Sequence, residues 1–300
     1  YLRAQLALED RAIAKADEEF NRRQLKDAET RLRAGTGTLS DVYNFEIRVN
    51  SAITVGTVAQ QSYDAAMIGL ASLLGIPQGV FPKHIKLAAL KQESPEELGT
   101  PNAEELVAYA QDHRPDILQN DFSLKQAEAQ VKALRARFFP IISAEAALDG
   151  ERVGDSGMAS DDFGSSVGII LTYNLLSGGA DLARWRQAKA SVLEAENTLD
   201  NVKITATSEI RTSLSELSSA QRQLVLQRSN VNLVQKTRDL VEKEYAAGVA
   251  SLVRLNEAQR DLTTAQGRLA LALAALHQAW YNLETSTGYI LETFIADATP

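Results

Sequence analysis

The sequence predicts a mainly α-helical chain carrying one β-hairpin, built from long antiparallel helical hairpins in tandem repeat. Three observations predict it. Ala180 to Ala247 runs 68 residues without a glycine or proline, closed by Gly178-Gly179 and Gly248; as one helix it is about 100 Å long at 1.5 Å per residue. Arg31 to Ser40 and Glu244 to Val253 superpose at an offset of 213 residues, and the match continues without gaps. From Ile141 to Leu175 the hydrophobic period changes from helical to two.

Composition supports this class. Hydrophobic residues make up 45% of the 300, aromatics only 6%, and there are seven prolines. Ala and Leu supply most of the apolar fraction, which favours long helices over a sandwich or a compact α/β core. A net charge of −8 argues against nucleic acid as a partner, because phosphate binding needs clustered cations. With no cysteine there is no disulfide framework and no thiolate chemistry. No apolar run reaches the roughly 20 residues of a transmembrane helix. Tyr1 opens inside a helical pattern of Leu2, Leu6 and Leu8, which reads as a chain entered in mid-helix, without a leader.

The first helix ends at Ala34-Gly35-Thr36, where glycine permits a left-handed turn, and Leu39-Ser40-Asp41 begins the return helix. Ala52, Ala59 and Ala66 coincide with Ala265, Ala272 and Ala279 at seven-residue steps, and Gly75 with Gly288. Only seven of the 41 aligned positions are identical, so the equal spacing and shared phase carry the repeat. Pro77 to Pro101 holds four of the seven prolines and reads as an irregular connector. Asn102 caps a short helix, and Arg114-Pro115-Asp116 starts another that Pro140 stops.

Ile142, Ala144, Ala146 and Leu148 alternate with Ser143, Glu145 and Asp149; Phe163, Val167, Ile169, Leu171, Tyr173 and Leu175 alternate with smaller or polar residues. This is a β-hairpin with one oily and one wet face. It either packs its oily face on a helical core or crosses a bilayer, each limb having roughly the 9–11 residues of a tilted membrane strand. The loop from Gly150 to Asp162, with Glu151, Asp155, Asp161 and Asp162, is its solvent end. Along the long run Val192, Ala195, Leu199, Val202, Leu217, Leu224, Val231, Val234 and Val241 recur at three, four or seven residues, as a coiled-coil seam requires. Leu176-Ser-Gly-Gly179 is a strand-to-helix turn; without a GxxxxGK[ST] loop it has no place in an ATPase.

In this order the residues resemble the TolC family of outer-membrane channel-tunnel proteins of drug efflux and type I secretion. The carriers are His113-Arg-Pro-Asp-Ile-Leu118 and Phe139-Pro140-Ile141, Tyr173-Asn-Leu-Leu-Ser-Gly-Gly179-Ala-Asp-Leu-Ala-Arg184, and the paired turns at Gly35 and Gly248. The resemblance implies a homotrimer that builds a transmembrane β-barrel in the outer membrane and a TolC-like α-barrel reaching deep into the periplasm of a Gram-negative cell. It implies contact with outer-membrane lipid, a periplasmic adaptor (membrane fusion) protein and an inner-membrane ABC or proton-driven transporter. The adaptor-docking tip is then Ala34, Gly35, Thr36, Ala247, Gly248 and Val249, and the gate and pore positions are Asp41, Tyr245, Arg254 and Glu257. Alanine replaces the usual valine at positions 34 and 247, the arginine expected at position 250 is Ala250, and one of two pore-facing acids is reversed in Arg254. Arg254 and Glu257 read alternatively as a surface pair on one helix face. The Tyr173-Asn-Leu and Gly-Gly-Ala-Asp residues lean toward the secretion members.

The implied organisation is a first-repeat hairpin over 1–76, an equatorial connector over 77–140, a transmembrane β-hairpin over 141–176, a second-repeat hairpin over 177–290 and a tail over 291–300. If the repeat is complete, about 33 residues of the first long helix, a first strand hairpin and an N-terminal helix stand upstream of Tyr1. No catalytic, cofactor or metal constellation is expected: His84, His113 and His277 are scattered without a carboxylate at ligand spacing. The competing reading is a soluble coiled-coil scaffold or periplasmic adaptor without a pore.

Overall fold

The computed structural model describes residues 1–82, 85–91, 93, 99–150 and 163–291. Among these residues six helices and one strand pair follow in order: α1 (Leu2–Arg33), α2 (Leu39–Leu73), α3 (Ala103–His113), α4 (Pro115–Ala136), β1 (Ile141–Gly150), β2 (Phe163–Thr172), α5 (Ala180–Ala246) and α6 (Leu252–Thr287). The 67 residues of α5 form one helix, as the absence of breakers predicts. The expected acidic loop residues 151–162, His84 and the tail from 292 lie outside the described residues. Two compact units form: Tyr1–Leu106 with the chain from Glu209, and Val107–Ser208.

In the first unit α1 lies close along both α2 and α6, with Cα atoms within 8 Å. Half of its buried residues are alanines, Ala4, Ala7, Ala14 and Ala28, small side chains that let neighbouring backbones approach. Four helices meet in one cluster of Phe20, Ala28, Phe45, Val241, Leu255 and Ala258. Farther along α5, Ile210, Leu214, Leu217, Ala220 and Leu224 are buried at the three- and four-residue steps of the expected seam.

Part of the connector crosses these helices as a strap. Its carbonyls have no ladder partner, so side chains satisfy them: Gln5 Nε2 donates to Ala88 O and Ala89 O at 3.0 and 3.2 Å, His277 Nε2 to Lys91 O at 3.0 Å, and Arg228 Nη2 to Glu93 O at 2.6 Å. His277 Nδ1 also lies 3.8 Å from Glu93 Oε1. No carboxylate lies near this histidine in sequence, because the two residues stand more than half the chain apart.

In the second unit the Arg-Pro-Asp motif sets the start of α4. Asp116 accepts from Arg114 Nε at 2.9 Å and Nη2 at 2.7 Å, and its Oδ1 takes the Ile117 amide at 2.9 Å. These bonds, the Arg114 hydrogen bond foremost, hold the Asp116 carboxyl below its ordinary range against a smaller opposing effect of burial. Ile117 is thereby delivered to a small core with Leu199 and Ala206.

The strands pair antiparallel from Ile141↔Thr172 to Gly150↔Phe163. This register sets Ile142, Ala144, Ala146 and Leu148 opposite Leu171, Ile169, Val167 and Ser165 on one face. The second strand is shorter than its alternation predicts: Pro140 precedes the partner strand and donates no backbone bond, so Tyr173 and Leu175 fall past the ladder's end. The oily face does not pack on helices. Leu148, Val167 and Ile169 are 89%, 86% and 80% exposed, which overturns the reading of a hairpin covering a helical core. Gly178 and Gly179, at φ 60° and 82°, then swing the chain into α5.

Candidate functional site

The two helix turns are built alike, bond for bond. After α1, Ala34 N donates to Thr30 O, Gly35 N to Leu32 O, and Thr36 N and Gly37 N to Arg31 O. After α5, Ala247 N donates to Lys243 O, Gly248 N to Tyr245 O, and Val249 N and Ala250 N to Glu244 O. Every donor and acceptor is displaced by the same 213 residues. Gly35 and Gly248 have φ 74° and 75°, the left-handed geometry that closes a helix C-terminus. The return helices are capped alike: Thr38 Oγ1 accepts from Asp41 N at 3.1 Å and Ser251 Oγ from Arg254 N at 3.3 Å. Ala34, Gly35, Thr36, Ala247, Gly248 and Val249 are all exposed.

Beneath the turns sits a cluster of rings and charges around half-buried Tyr245. Its ring meets Phe45 edge-on at 6.3 Å, and the Arg31 guanidinium lies over it at 4.9 Å. Burial first, and then the charge of Asp41, push the phenol above its ordinary value, while Arg31 pulls the other way. The structure therefore brings Asp41 and Tyr245 into one electrostatic environment and adds Arg31 from α1. Arg254 does not pair with Glu257. It reaches back across its own turn to Glu244, Nη1 to Oε2 at 3.3 Å, an ion pair too poorly angled for a hydrogen bond. Glu257 is exposed on α6, one turn of helix beyond Arg254, and the pairing expected on one helix face fails because Glu244 offers the better-placed, half-buried partner.

A second polar layer joins α1 to α5 and α6, and the sequence reading missed it. Gln24 Nε2 donates to Glu242 Oε1 at 2.8 Å, and Arg238 Nη1 holds the other oxygen at 2.9 Å. Gln259 Nε2 donates to Asp17 Oδ1 at 2.7 Å, joined by Thr263 Oγ1 at 3.3 Å. Gln24 and Gln259 are buried, and buried amides so bonded fix register between packed helices. One signal existed: Asn21, bonded to Asp17 at 3.2 Å, shares the seven-residue phase of Ala14 and Ala28.

Comparisons agree with this architecture. The family model described as "Outer membrane efflux protein" matches residues 106–289. The pyoverdine export outer membrane protein OpmQ of Pseudomonas aeruginosa is 27% identical over 96% of this chain and 59% of its own length. The alkaline protease secretion protein AprF of the same organism is 25% identical over 100% of this chain and 64% of its own. The chain thus spans about three-fifths of the length of these relatives. The crystal structure of the outer membrane protein VceC from Vibrio cholerae superposes with a TM-score of 0.71 at 18% identity, covering 96% of this chain and 67% of that one; it supports the fold alone.

Proposed function

The chain belongs to the outer membrane efflux protein family, and on that premise we propose that the whole protein is the outer-membrane channel-tunnel of a tripartite efflux or type I secretion system. It is a passive exit duct and does no covalent chemistry. The observation that carries this reading is the strand pair. Ten residues on each limb match the reach of a tilted membrane strand, and a two-stranded ribbon with its oily face in water is not stable alone. Copies of the chain closing their strands into a barrel satisfy both the open edges and the oily face. The scaffold alternative offers that face nothing to bury it.

In this reading the protein is a homotrimer, the turns at Gly35 and Gly248 are where a periplasmic adaptor docks, and an inner-membrane transporter supplies the cargo. Opening twists the second hairpin, α5–α6, against the first, α1–α2. Such a twist breaks what crosses between them: the Arg31–Tyr245–Asp41 cluster, and the Gln24–Glu242 and Asp17–Gln259 bonds farther along α1. Arg31, over the Tyr245 ring, supplies the cation of this latch, and a ring of Glu257 carboxylates facing the pore favours cations.

Planar-bilayer recording of the full-length protein tests the proposal. Stepwise conductance is expected, with a closed-state level that rises when Asp41→Ala and Tyr245→Phe are combined. Absence of any conductance refutes the channel; an unchanged closed level in the double variant removes the latch and leaves the channel standing.

A further inference from the structure

The chain's charge is distributed very unevenly around the strand pair. Between Ile141 and Thr172 there are six acids and one cation, Arg152. The two segments that flank the strands' roots reverse this: Ala129–Pro140 and Asp181–Leu193 carry Lys132, Arg135, Arg137, Arg184, Arg186 and Lys189 against the single carboxylate of Asp181. In a chain of net charge −8 this is a concentrated basic belt.

The structure brings the two segments together. The end of α4 and the start of α5 share a groove of about 450 Å³, lined by Arg137 and Arg184 with Leu134 and Ala188. Asp181 lies 3.9 Å from Arg137 Nη1 and 3.4 Å from Arg184 Nη1, so one carboxylate is shared between two guanidinium groups and neutralises at most one. All six cations are exposed. Aromatic side chains sit at the same level: Phe138, Phe139 and Tyr173 are exposed at the strand roots, and Lys189 Nζ lies 4.0 Å from the Trp185 ring. Exposed aromatics beside cations at the end of a bilayer-length strand mark a membrane–water boundary.

We propose that this belt binds the phosphodiester headgroups of anionic phospholipid in the periplasmic leaflet, fixing the depth at which the barrel sits. The inference rests on the membrane reading above. Arginine's planar fork matches phosphate oxygens in pairs, and clustered cations next to a membrane segment attract anionic lipid over about a Debye length.

The test is lipid selection by the full-length protein inserted into phosphatidylcholine vesicles containing or lacking phosphatidylglycerol. Fluorescent phosphatidylglycerol is expected to associate several-fold more tightly than the phosphatidylcholine analogue. The preference should fall to parity when Arg135, Arg137, Arg184 and Arg186 are all changed to Gln, and should survive their change to Lys, which guards against a folding artefact. Parity in the wild type, or an undiminished preference in the Gln variant, overturns the proposal. So does loss of the preference in inorganic phosphate but not in chloride of equal ionic strength, which identifies a site for free phosphate. A protein that enters neither vesicle overturns the membrane reading itself, whereas parity after insertion overturns this proposal alone.

Discussion

At the turn after α1 the cation is Arg31 and the anion Asp41; at the turn after α5, 213 residues later, the anion is Glu244 and the cation Arg254. The backbone between them is the same, yet the charges serve different neighbours. Glu244 and Arg254 pair within their own hairpin, while Arg31 leaves its hairpin to cover Tyr245 on α5. The core beneath shows the same divergence in volume. Ala28 corresponds to Val241 and Phe45 to Ala258, so a large side chain in one copy stands where the other has a small one, while Val42 and Leu255 are of similar size, and all pack in or against one cluster. A helix reversal needs only a left-handed glycine and a capping hydroxyl, and those recur. A core needs its total volume filled, and the two copies divide that volume between them.

The two return helices differ in the same way. Only four of the 35 residues of α2 are buried, against twelve of the 36 in α6. Tyr43, Ile47, Val55 and Val58 leave α2 with an exposed apolar face, which fits a helix that meets other copies in an assembly.

The largest effect is expected at Phe45, which is fully buried where the second copy has Ala258. Phe45→Ala should cost about 3–5 kcal/mol, while Ile47→Ala, on the exposed face of the same helix, should change subunit stability by about 0.5 kcal/mol or less. Denaturant midpoints at constant slope measure both; equal losses would mean that Phe45 does not fill the shared cluster. Next come the turns themselves. An added Cβ at Gly37 would lie 2.9 Å from Arg31 Cβ and Leu32 N, so Gly37→Ala should cost about 1–3 kcal/mol, although its counterpart is already Ala250. Gly35→Ala and Gly248→Ala should each cost about 1–2 kcal/mol from left-handed strain alone, and equally, because neither Cβ meets anything within 4 Å.

A smaller effect distinguishes the charges. Because burial and Asp41 raise the Tyr245 phenol, the neutral ring favours the folded state; stability from this group is intact below about pH 10 and falls as pH rises toward the raised folded value. Asp41→Asn should lower that value and Arg31→Gln raise it further, read from tyrosinate absorbance in a pH titration. Opposite movements would remove both residues from the cluster. The smallest effect is expected at Arg254→Ala, about 0.5 kcal/mol or less, since the Arg254 side chain is exposed.

Most of the fold was legible in the sequence because its signals are local: breaker-free Ala180 to Ala247 became α5, and the period-two segment became a hairpin whose apolar residues share a face. The turns were legible because glycine at a helix end has one common use. What escaped depends on distance in sequence. Gln24 and Gln259 read as surface residues until Glu242 and Asp17 are brought beside them, and the partner of Arg254 lay ten residues before it, not three after. Glu93 and His277 escaped for the same reason.

If the proposed duct opens by moving the second hairpin against the first, holding the two together keeps it shut. Since the sequence contains no cysteine, a single pair can be introduced cleanly at Gln24 and Glu242, whose side chains bond at 2.8 Å, and bridged with a short bismaleimide in the full-length protein. The bridged channel, recorded in a planar bilayer with adaptor and transporter present, should stay at its closed conductance while the unbridged variant opens. A bridged channel that opens as fully as the unbridged one would contradict it.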